Sequence, residues 1–202
     1  LLTAAHLEMY YEAGAFPGSS VGGGANCGFA PYRLENFRVD GYDVLVNKPK
    51  SQAYRAPGAP QAAFAVESMI DELSADLGVD PVEFRLRNAS AEGDIRPNGT
   101  RFNHVGNVDQ MRAAQSSQHW QAPLPESNGR LVGRGVACGY WGNGGGTSSA
   151  VARLNQDGSV TLLESSPDIG GTRTSIAMQL AETLGIDVGQ VHPRVPDTDS
   201  IP

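Results

Sequence analysis

The first candidate for chemistry in this sequence is Arg55, which stands in a short loop of prolines and glycines with the sequence YRAPGAPQ. Pro57 and Pro60 fix their own φ angles and restrict Ala56 and Ala59 to extended conformations, whereas Gly58 lets the backbone approach a bound group with no Cβ in the way. The arginine therefore projects from a stiff turn that presents backbone to a ligand. A structural ion pair of Arg55 is the alternative that the sequence leaves open.

The second candidate is the stretch GGTRT at residues 170–174, which opens a predicted helix. Free backbone N–H groups, a hydroxyl and the cation of Arg173 at a helix N-terminus together suit a phosphate or another anion. An ordinary capped helix, with Thr172 or Thr174 at the N-cap, is the alternative interpretation. Both candidates thus point to an anionic ligand.

Other catalytic and metal-binding patterns are absent from the sequence. The cysteines Cys27 and Cys138 are isolated, the histidines lie far apart without HxH or HExxH, and no serine stands in GxSxG. These spacings predict no protein-held metal and no nucleophile elbow. We interpret the two cysteines as buried free thiols.

Two helices are predicted directly after the Arg55 loop. Apolar residues between positions 62 and 77 recur at helical spacing until Gly78, a typical helix stop, and Asp80 is suited to be the N-cap of the next helix. On the first helix, Glu67 and Asp71 lie one turn apart. They could form a carboxylate pair, and a solvated acidic face is the alternative.

The remaining elements are predicted from alternation, periodicity and turn residues. Residues 2–15 could form a strand or a helix, and their alternation favours a strand. Further strands are expected at residues 37–39, 42–46, 131–140 and 190–195. Hairpins are expected at Asp40-Gly41 and, within residues 148–165, at Asp157-Gly158. Helices are expected at residues 108–120 and from Gly170 to Leu184, where Gly185 ends the helix. Residues 18–28 and 142–146 are glycine-rich loops, the first either ligand-facing or a flexible connection.

Composition limits the classes of partner. The chain has 202 residues, of which 40% are hydrophobic, and its formal net charge is −7. An acidic chain offers no basic stripe for nucleic acid or an anionic membrane, and no apolar run reaches the roughly 20 residues of a membrane-spanning helix. The sequence predicts an α+β protein of two lobes in the cytoplasm. Because the chain starts at Leu1 rather than methionine, we expect a fragment.

The sequence YRAPGAPQAAFAVESMIDELSADLGVDPVEFRLRNA at residues 54–89 strongly resembles the signature of the large, molybdopterin-binding subunit of the xanthine dehydrogenase/aldehyde oxidase family of molybdenum hydroxylases. Residues 33–49 are similar to the family's approach to that loop. Residues 150–198, including PDIGGTRTSIAMQLAETLGI and the Asp197-Thr198 pair, are similar to its second cofactor-binding portion. The resemblance implies a first cofactor-binding lobe at residues 1–90, a connector with a helix at 91–130 and a second lobe at 131–202.

The activity implied by this resemblance is hydroxylation with water as the oxygen donor. The implied cofactor is molybdenum–molybdopterin, as such or as a dinucleotide, and the substrate left open is an aldehyde, an N-heteroaromatic ring or an aryl thioester. Electrons would leave through [2Fe-2S] and FAD centres on partner subunits or domains. The implied partners are therefore an iron–sulfur subunit, an FAD subunit and the remainder of the same large subunit.

Four residues of the first loop take roles by this resemblance. Arg55 matches the family's arginine beside the molybdenum, which implies hydrogen bonding and charge support of the cofactor oxygens. Ala56 and Gly58 are carried over as cofactor-binding positions. Pro57 stands where purine-oxidising members carry phenylalanine, and Ala56 stands where carbon monoxide dehydrogenases carry a copper-binding cysteine. These two departures argue against xanthine and carbon monoxide as substrates.

The second lobe supplies the other implied site residues. Tyr140, together with Trp141, falls near a substrate-flanking aromatic position of the family. Gly170, Gly171 and Thr172 occupy the place of the family's Gly-Gln-Gly. Loss of that glutamine removes one side-chain contact and keeps the helix N-terminus for the anionic parts of the cofactor.

Other family motifs have no counterpart in this sequence. These are the glutamate base in a late GxGE motif, an upstream glycine/phenylalanine loop and a serine/glycine loop beyond Asp197-Thr198. A general base must reach the proton that it removes, and neither Glu67, Glu72 nor Glu182 is a substitute. We therefore expect an internal piece of a larger subunit, inactive alone. A non-catalytic cofactor-binding or assembly module is the alternative.

Overall fold

The computed structural model describes residues 1–126, 128–142, 144, 146–197 and 199. The chain forms two compact units, residues 1–142 and 143–202, and the architecture is α+β, as predicted. The predicted glycine-rich loop at 142–146 lies partly outside the described residues, since Asn143 and Gly145 are not among them, and Thr198 is also outside. None of the described helices combines the length and the hydrophobicity that a membrane-spanning helix requires.

The first unit is built on two parallel strands. Strand β1 (Ala4–Gly14) pairs with β2 (Asn36–Leu45), and the short helix α1 (Val21–Cys27) lies in the connection that parallel pairing requires. The strand predicted at residues 2–15 is confirmed. The hairpin predicted at Asp40-Gly41 is wrong, because both residues continue β2 and face Glu8 and Met9 of β1. Pairing with the long strand β1 outweighs the local turn preference of Asp40-Gly41.

Helix α1 also corrects the sequence-based interpretation. It contains Gly22, Gly23 and Gly24, so this glycine-rich stretch is a helix and not a loop. Glycine is a poor helix former, and a seven-residue helix is unstable alone. Tertiary packing must therefore hold α1 in place.

The helices after the Arg55 loop are confirmed. They are α2 (Ala59–Asp76) and α3 (Pro81–Asn88), and the Asp80 side chain caps α3 by accepting from the backbone N–H groups of Val82 and Glu83. A core forms where α2 and α3 pack on β1. Its buried members are Leu7, Met9, Phe29, Tyr32, Ala62, Val66, Ile70 and Phe84.

The rest of the first unit differs from prediction in two places. The helix expected at residues 108–120 is divided into α4 (Asn107–Ser116) and α5 (Gln118–Gln121), because Ser117 is extended and its hydroxyl caps α5. The strand expected at 131–140 is not a strand. This segment is instead fixed by a side chain of α2, and it ends at Tyr140, directly before Trp141.

The strands and the helix of the second unit agree with the sequence prediction. Strands β3 (Val151–Leu154) and β4 (Val160–Leu163) form the antiparallel hairpin, with Gly158 at φ 83°, and β5 (Val191–Arg194) pairs parallel to β4. Helix α6 (Thr172–Leu184) connects β4 to β5 and ends at Gly185 in the left-handed conformation. The buried core residues of this unit are Leu162, Ala177, Ala181 and Val191.

Candidate functional site

The Arg55 loop is a sharply bent turn at the start of α2. Gly58 is the N-cap of α2 with φ 88°, and Ala56 has φ 47°, a left-handed conformation that is uncommon for a residue with a Cβ. The extended conformations predicted for Ala56 and Ala59 are therefore wrong, since Ala56 is left-handed and Ala59 is the first residue of α2. The carbonyl of Ala56 accepts a hydrogen bond from the N–H of Ala59 at 3.1 Å. Such backbone persists only where the surrounding structure imposes it.

Helix α1 imposes the bend through its glycines. A Cβ added to Gly23 would lie 2.2 Å from the carbonyl oxygen of Pro57, and one added to Gly58 would lie 2.1 Å from the carbonyl oxygen of Ser20. The hydroxyl of Tyr11 donates to the carbonyl oxygen of Gly58 at 2.9 Å. The backbones of α1 and the loop are therefore in direct contact. Sequence reasoning missed this role, although a glycine run and a Pro-Gly turn in one chain were the available signal.

The side chain of Arg55 is exposed to solvent. No hydrogen bond or ion pair joins it to any residue that the structure describes, so the structural ion pair considered above is not formed there. A stiff loop thus carries a guanidinium whose five donors remain open to a ligand.

A cavity of about 370 Å³ adjoins this loop. It brings Ala56 together with two other predicted site residues, Tyr140 and Trp141, which lie far from Ala56 in sequence. Its lining residues are Ala56, Ala59, Pro60, Ala63, Gly139, Tyr140 and Trp141. The small apolar residues on one side and two aromatic rings on the other suit a flat apolar ligand. Pro57 and Gly58 do not line this cavity and face α1 instead.

The segment that carries Tyr140 is held by a buried carboxylate of α2. Glu67 accepts hydrogen bonds from the backbone N–H of Cys138 at 2.8 Å, from Arg85 Nε at 2.8 Å and from the hydroxyl of Tyr32. Arg85 also donates to Asp71 at 2.8 Å. The solvated acidic face considered for Glu67 is therefore wrong, since Arg85 joins the two carboxylates and Glu67 is buried.

Burial sets the electrostatics of this network. Burial is the main cause that raises the pKa of the Tyr32 hydroxyl, and the charge of Glu67 is the second. The same two causes raise the pKa of the Cys138 thiol to about 11. Burial opposes the charge of Arg85, but hydrogen bonds to Asp71 and Glu67 outweigh it and raise the pKa of the guanidinium. Burial also raises the pKa of the Cys27 thiol. Both cysteines are free, and both thiols are neutral near pH 7.

The N-terminus of α6 differs from its prediction. Gly171 is the N-cap with φ 87°, and no side-chain bond comes from Thr172 or Thr174. Instead, Asp168 Oδ1 accepts from the N–H groups of Gly170, Gly171 and Thr172 at 3.0, 2.8 and 3.2 Å. The expectation of free N–H groups is therefore wrong, because a carboxylate of the chain already fills the anion position. These hydrogen bonds lower the pKa of Asp168, and the bond from Gly170 contributes most.

Replacing Asp168 with alanine is expected to accelerate amide hydrogen exchange at residues 170–174, because the three N–H groups lose their common acceptor. Exchange followed by mass spectrometry measures this effect. Glu182→Ala is the matched control, since it removes an exposed carboxylate of α6 that lies away from the first turn. Equal exchange in the two variants would contradict the capping role.

The same contact predicts a pH dependence. Because the pKa of Asp168 is lowered in the folded state, its stabilising contribution is present above the unfolded-state pKa and is lost as the pH falls through the folded-state pKa. Protection of residues 170–174 should therefore weaken in acid. We expect this acid dependence to be absent from Asp168→Ala.

Comparisons with known proteins identify the family of this chain. Two family models, both described as molybdopterin cofactor-binding domain, match residues 1–89 and 107–202. The chain is 38% identical over 168 residues to the xanthine dehydrogenase molybdenum-binding subunit of Escherichia coli O157:H7, which covers 77% of this chain and 22% of that protein. It is 34% identical over 139 residues to the aldehyde oxidoreductase of Megalodesulfovibrio gigas, covering 66% of this chain and 15% of that protein.

Solved structures are similar across nearly the whole chain. The aldehyde oxidoreductase from Desulfovibrio gigas matches with a TM-score of 0.62 and 25% identity, covering 98% of this chain and 24% of that one. Quinoline 2-oxidoreductase from Pseudomonas putida 86 shares the fold with a TM-score of 0.64 and 21% identity, and the match covers 97% of this chain and 29% of that one. The chain thus spans about a quarter of the length of these proteins.

Proposed function

Because this chain belongs to the family of molybdenum hydroxylase large subunits, we propose that it is a segment of a catalytic subunit that oxidises an aldehyde or an N-heteroaromatic substrate with water as oxygen donor. The observation that carries the proposal is the cavity beside Ala56, which unites the Arg55 loop with Tyr140 and Trp141. We propose that residues 1–90 and 131–202 contribute to two cofactor-binding lobes and that 91–130 connect them.

The residues of the first loop fit a molybdenum–molybdopterin cofactor. Such a group is rich in anionic oxygens, and Arg55 offers an exposed guanidinium fork without a competing carboxylate among the described residues. When bound, the cofactor supplies the oxygen transfer and accepts two electrons. Arg55 would bind and stabilise negative charge, while Ala56 and Pro60 exclude water on the apolar side of the cavity.

Tyr140 and Trp141 would orient the substrate. Aromatic rings hold a flat molecule by stacking or edge contacts, and the cavity of about 370 Å³ has room for one aromatic ring and its substituent. Gly170, Gly171 and Thr172 could bind anionic parts of the cofactor only after Asp168 releases their N–H groups. We therefore assign the main cofactor contact of this chain to the Arg55 loop.

Proton transfer is assigned to another part of the subunit. The described lining of the cavity includes no carboxylate, and Glu67 is committed to Arg85. We propose that the base lies in the remainder of the large subunit, that electrons leave to partners carrying [2Fe-2S] and FAD, and that the segment alone is inactive. The cytoplasmic location expected from the sequence stays a prediction.

One observation favours a second candidate function. A cavity without a carboxylate could belong to a non-catalytic cofactor-binding or assembly module, since a general base must lie within hydrogen-bond reach of its proton. The two candidates share cofactor binding and differ in turnover.

The test is to purify the full-length subunit with its partners and measure molybdenum by mass spectrometry and pterin by fluorescence. Arg55→Ala is expected to lower kcat by roughly 10²-fold, as loss of one charge-stabilising donor does elsewhere. Arg112→Ala is the control, because Arg112 is exposed on α4. A subunit without molybdenum overturns cofactor binding. Molybdenum without turnover supports the assembly module, and unchanged kcat in Arg55→Ala removes Arg55 from the site.

A further inference from the structure

Arg96 contacts the ring of Tyr140, which together with Trp141 forms the aromatic wall of the cavity beside Ala56. It stands in a short turn where its N–H donates to the carbonyl of Thr100 at 2.7 Å and where Ile95 bridges Arg101. Its guanidinium carbon is 5.3 Å from the centroid of the Tyr140 ring and 5.6 Å from that of Phe102. The turn thus delivers a cation to the faces of two rings at distances typical of cation–π contacts.

Among the described residues no carboxylate lies within salt-bridge distance of Arg96, and its Nε atom is buried without a hydrogen-bond partner. A partly desolvated cation is attracted more strongly to an aromatic face than an exposed one. Contact with Tyr140 and Phe102 is therefore what holds the guanidinium in place.

The ring of Tyr140 has few other restraints. It lines the cavity beside Ala56 and also a second cavity of about 180 Å³, so open space adjoins it in two directions. Gly139, the residue before it, has no neighbouring atom within 4 Å of the position where its Cβ would stand. Phe102 meets Tyr140 edge to face, with ring centroids 5.7 Å apart. Arg96 and Phe102 together set the direction of the ring.

We infer that Arg96 is a positioning residue that holds Tyr140 against the cavity beside Ala56 and so favours aromatic over small aliphatic substrates. This inference rests on the proposed function, in which Tyr140 flanks the substrate. The physical reason is that a fixed ring offers an aromatic substrate a stacking surface, whereas a ring free to turn loses part of that contact. A small aliphatic aldehyde makes little use of the same surface.

The test uses the full-length enzyme with Arg96→Met, which keeps an unbranched chain and removes the charge and the planar group. Arg96→Lys retains the charge. Arg112→Met is the control, because Arg112 is an exposed arginine on α4. The measurements are KM and kcat for benzaldehyde and acetaldehyde, and the Kd of benzoate from quenching of tryptophan fluorescence. The last measurement needs no turnover.

For Arg96→Met we expect KM for benzaldehyde and Kd for benzoate to rise about tenfold, the size of a single lost contact in a pocket. We expect acetaldehyde kinetics to change little, Arg96→Lys to restore part of the loss, and Arg112→Met to match the parent enzyme. Equal losses on both aldehydes, or an unchanged Kd for benzoate, would overturn the positioning role.

Failure of the inference is distinct from failure of the proposed function. An enzyme that contains molybdenum and oxidises both aldehydes, but whose Arg96→Met variant binds benzoate like the parent, refutes only the role of Arg96. A subunit without molybdenum refutes the proposed function. In that case the Kd of benzoate alone decides whether Arg96 positions Tyr140, since a rise supports the inference and an unchanged value refutes it.

Discussion

Replacing Glu67 with alanine is expected to lower the free energy of unfolding by about 3–5 kcal/mol, the effect of removing one partner from a buried ion pair. The reason is that Arg85 has 0% of its side chain exposed and would keep its charge without its buried partner. The backbone N–H of Cys138 and the hydroxyl of Tyr32 would lose their acceptor in the same step. Denaturant unfolding measures the change.

Asp71→Ala is the matched control for this prediction. Asp71 pairs with the same guanidinium, but its side chain is 54% exposed, so we expect an effect of at most about 1 kcal/mol. The double variant Glu67→Met/Arg85→Met should recover a large part of the loss, because no buried charge is left unpaired. A Glu67→Ala variant as stable as Asp71→Ala would contradict the assignment of Glu67 as the buried partner.

The Glu67→Ala variant should also loosen the candidate site. Glu67 is bonded to the backbone of Cys138, two residues before Tyr140, and the segment at 131–140 has no strand ladder of its own. We expect faster amide hydrogen exchange at residues 136–141 in Glu67→Ala, whereas exchange in α6 should be unchanged. This network therefore links the stability of α2 and α3 to the position of the aromatic wall.

Replacing Gly23 with alanine is expected to destabilise the protein by about 1–3 kcal/mol, the usual range for forcing an extra methyl group into a packed contact. The new Cβ would lie 2.2 Å from the carbonyl oxygen of Pro57, and a backbone atom cannot turn aside as a flexible side chain can. Either α1 or the Arg55 loop must move. In the full-length enzyme the molybdenum content should fall as well.

Gly22→Ala provides a control of opposite sign. A Cβ at Gly22 meets no atom within 4 Å, and alanine is a better helix former than glycine by about 0.5–1 kcal/mol, so this variant should be more stable than the parent. Thermal unfolding distinguishes the two variants of neighbouring residues. Destabilisation by both, or by neither, would show that the close contact with Pro57 does not fix the loop.

The sharp turn that carries Arg55 could be predicted from local chemistry. The proline and glycine residues around Arg55 predict a stiff turn because they restrict or free the backbone of their own positions. The occupied N-terminus of α6 could not be predicted in this way, since Asp168 competes with any external anion for the same N–H groups. Arg96 was also missed, because only folding brings it to the ring of Tyr140.

The sequence by itself determined the elements whose signals are local. Asp80 caps α3, Gly185 ends α6 and Asp157-Gly158 turns the hairpin, because caps and tight turns involve residues only a few positions apart. Tertiary structure decided the elements whose stability comes from distant partners. It made a glycine run into α1, extended β2 through Asp40-Gly41 and buried Glu67, because backbone contact, a neighbouring strand and a paired charge outweigh local preference.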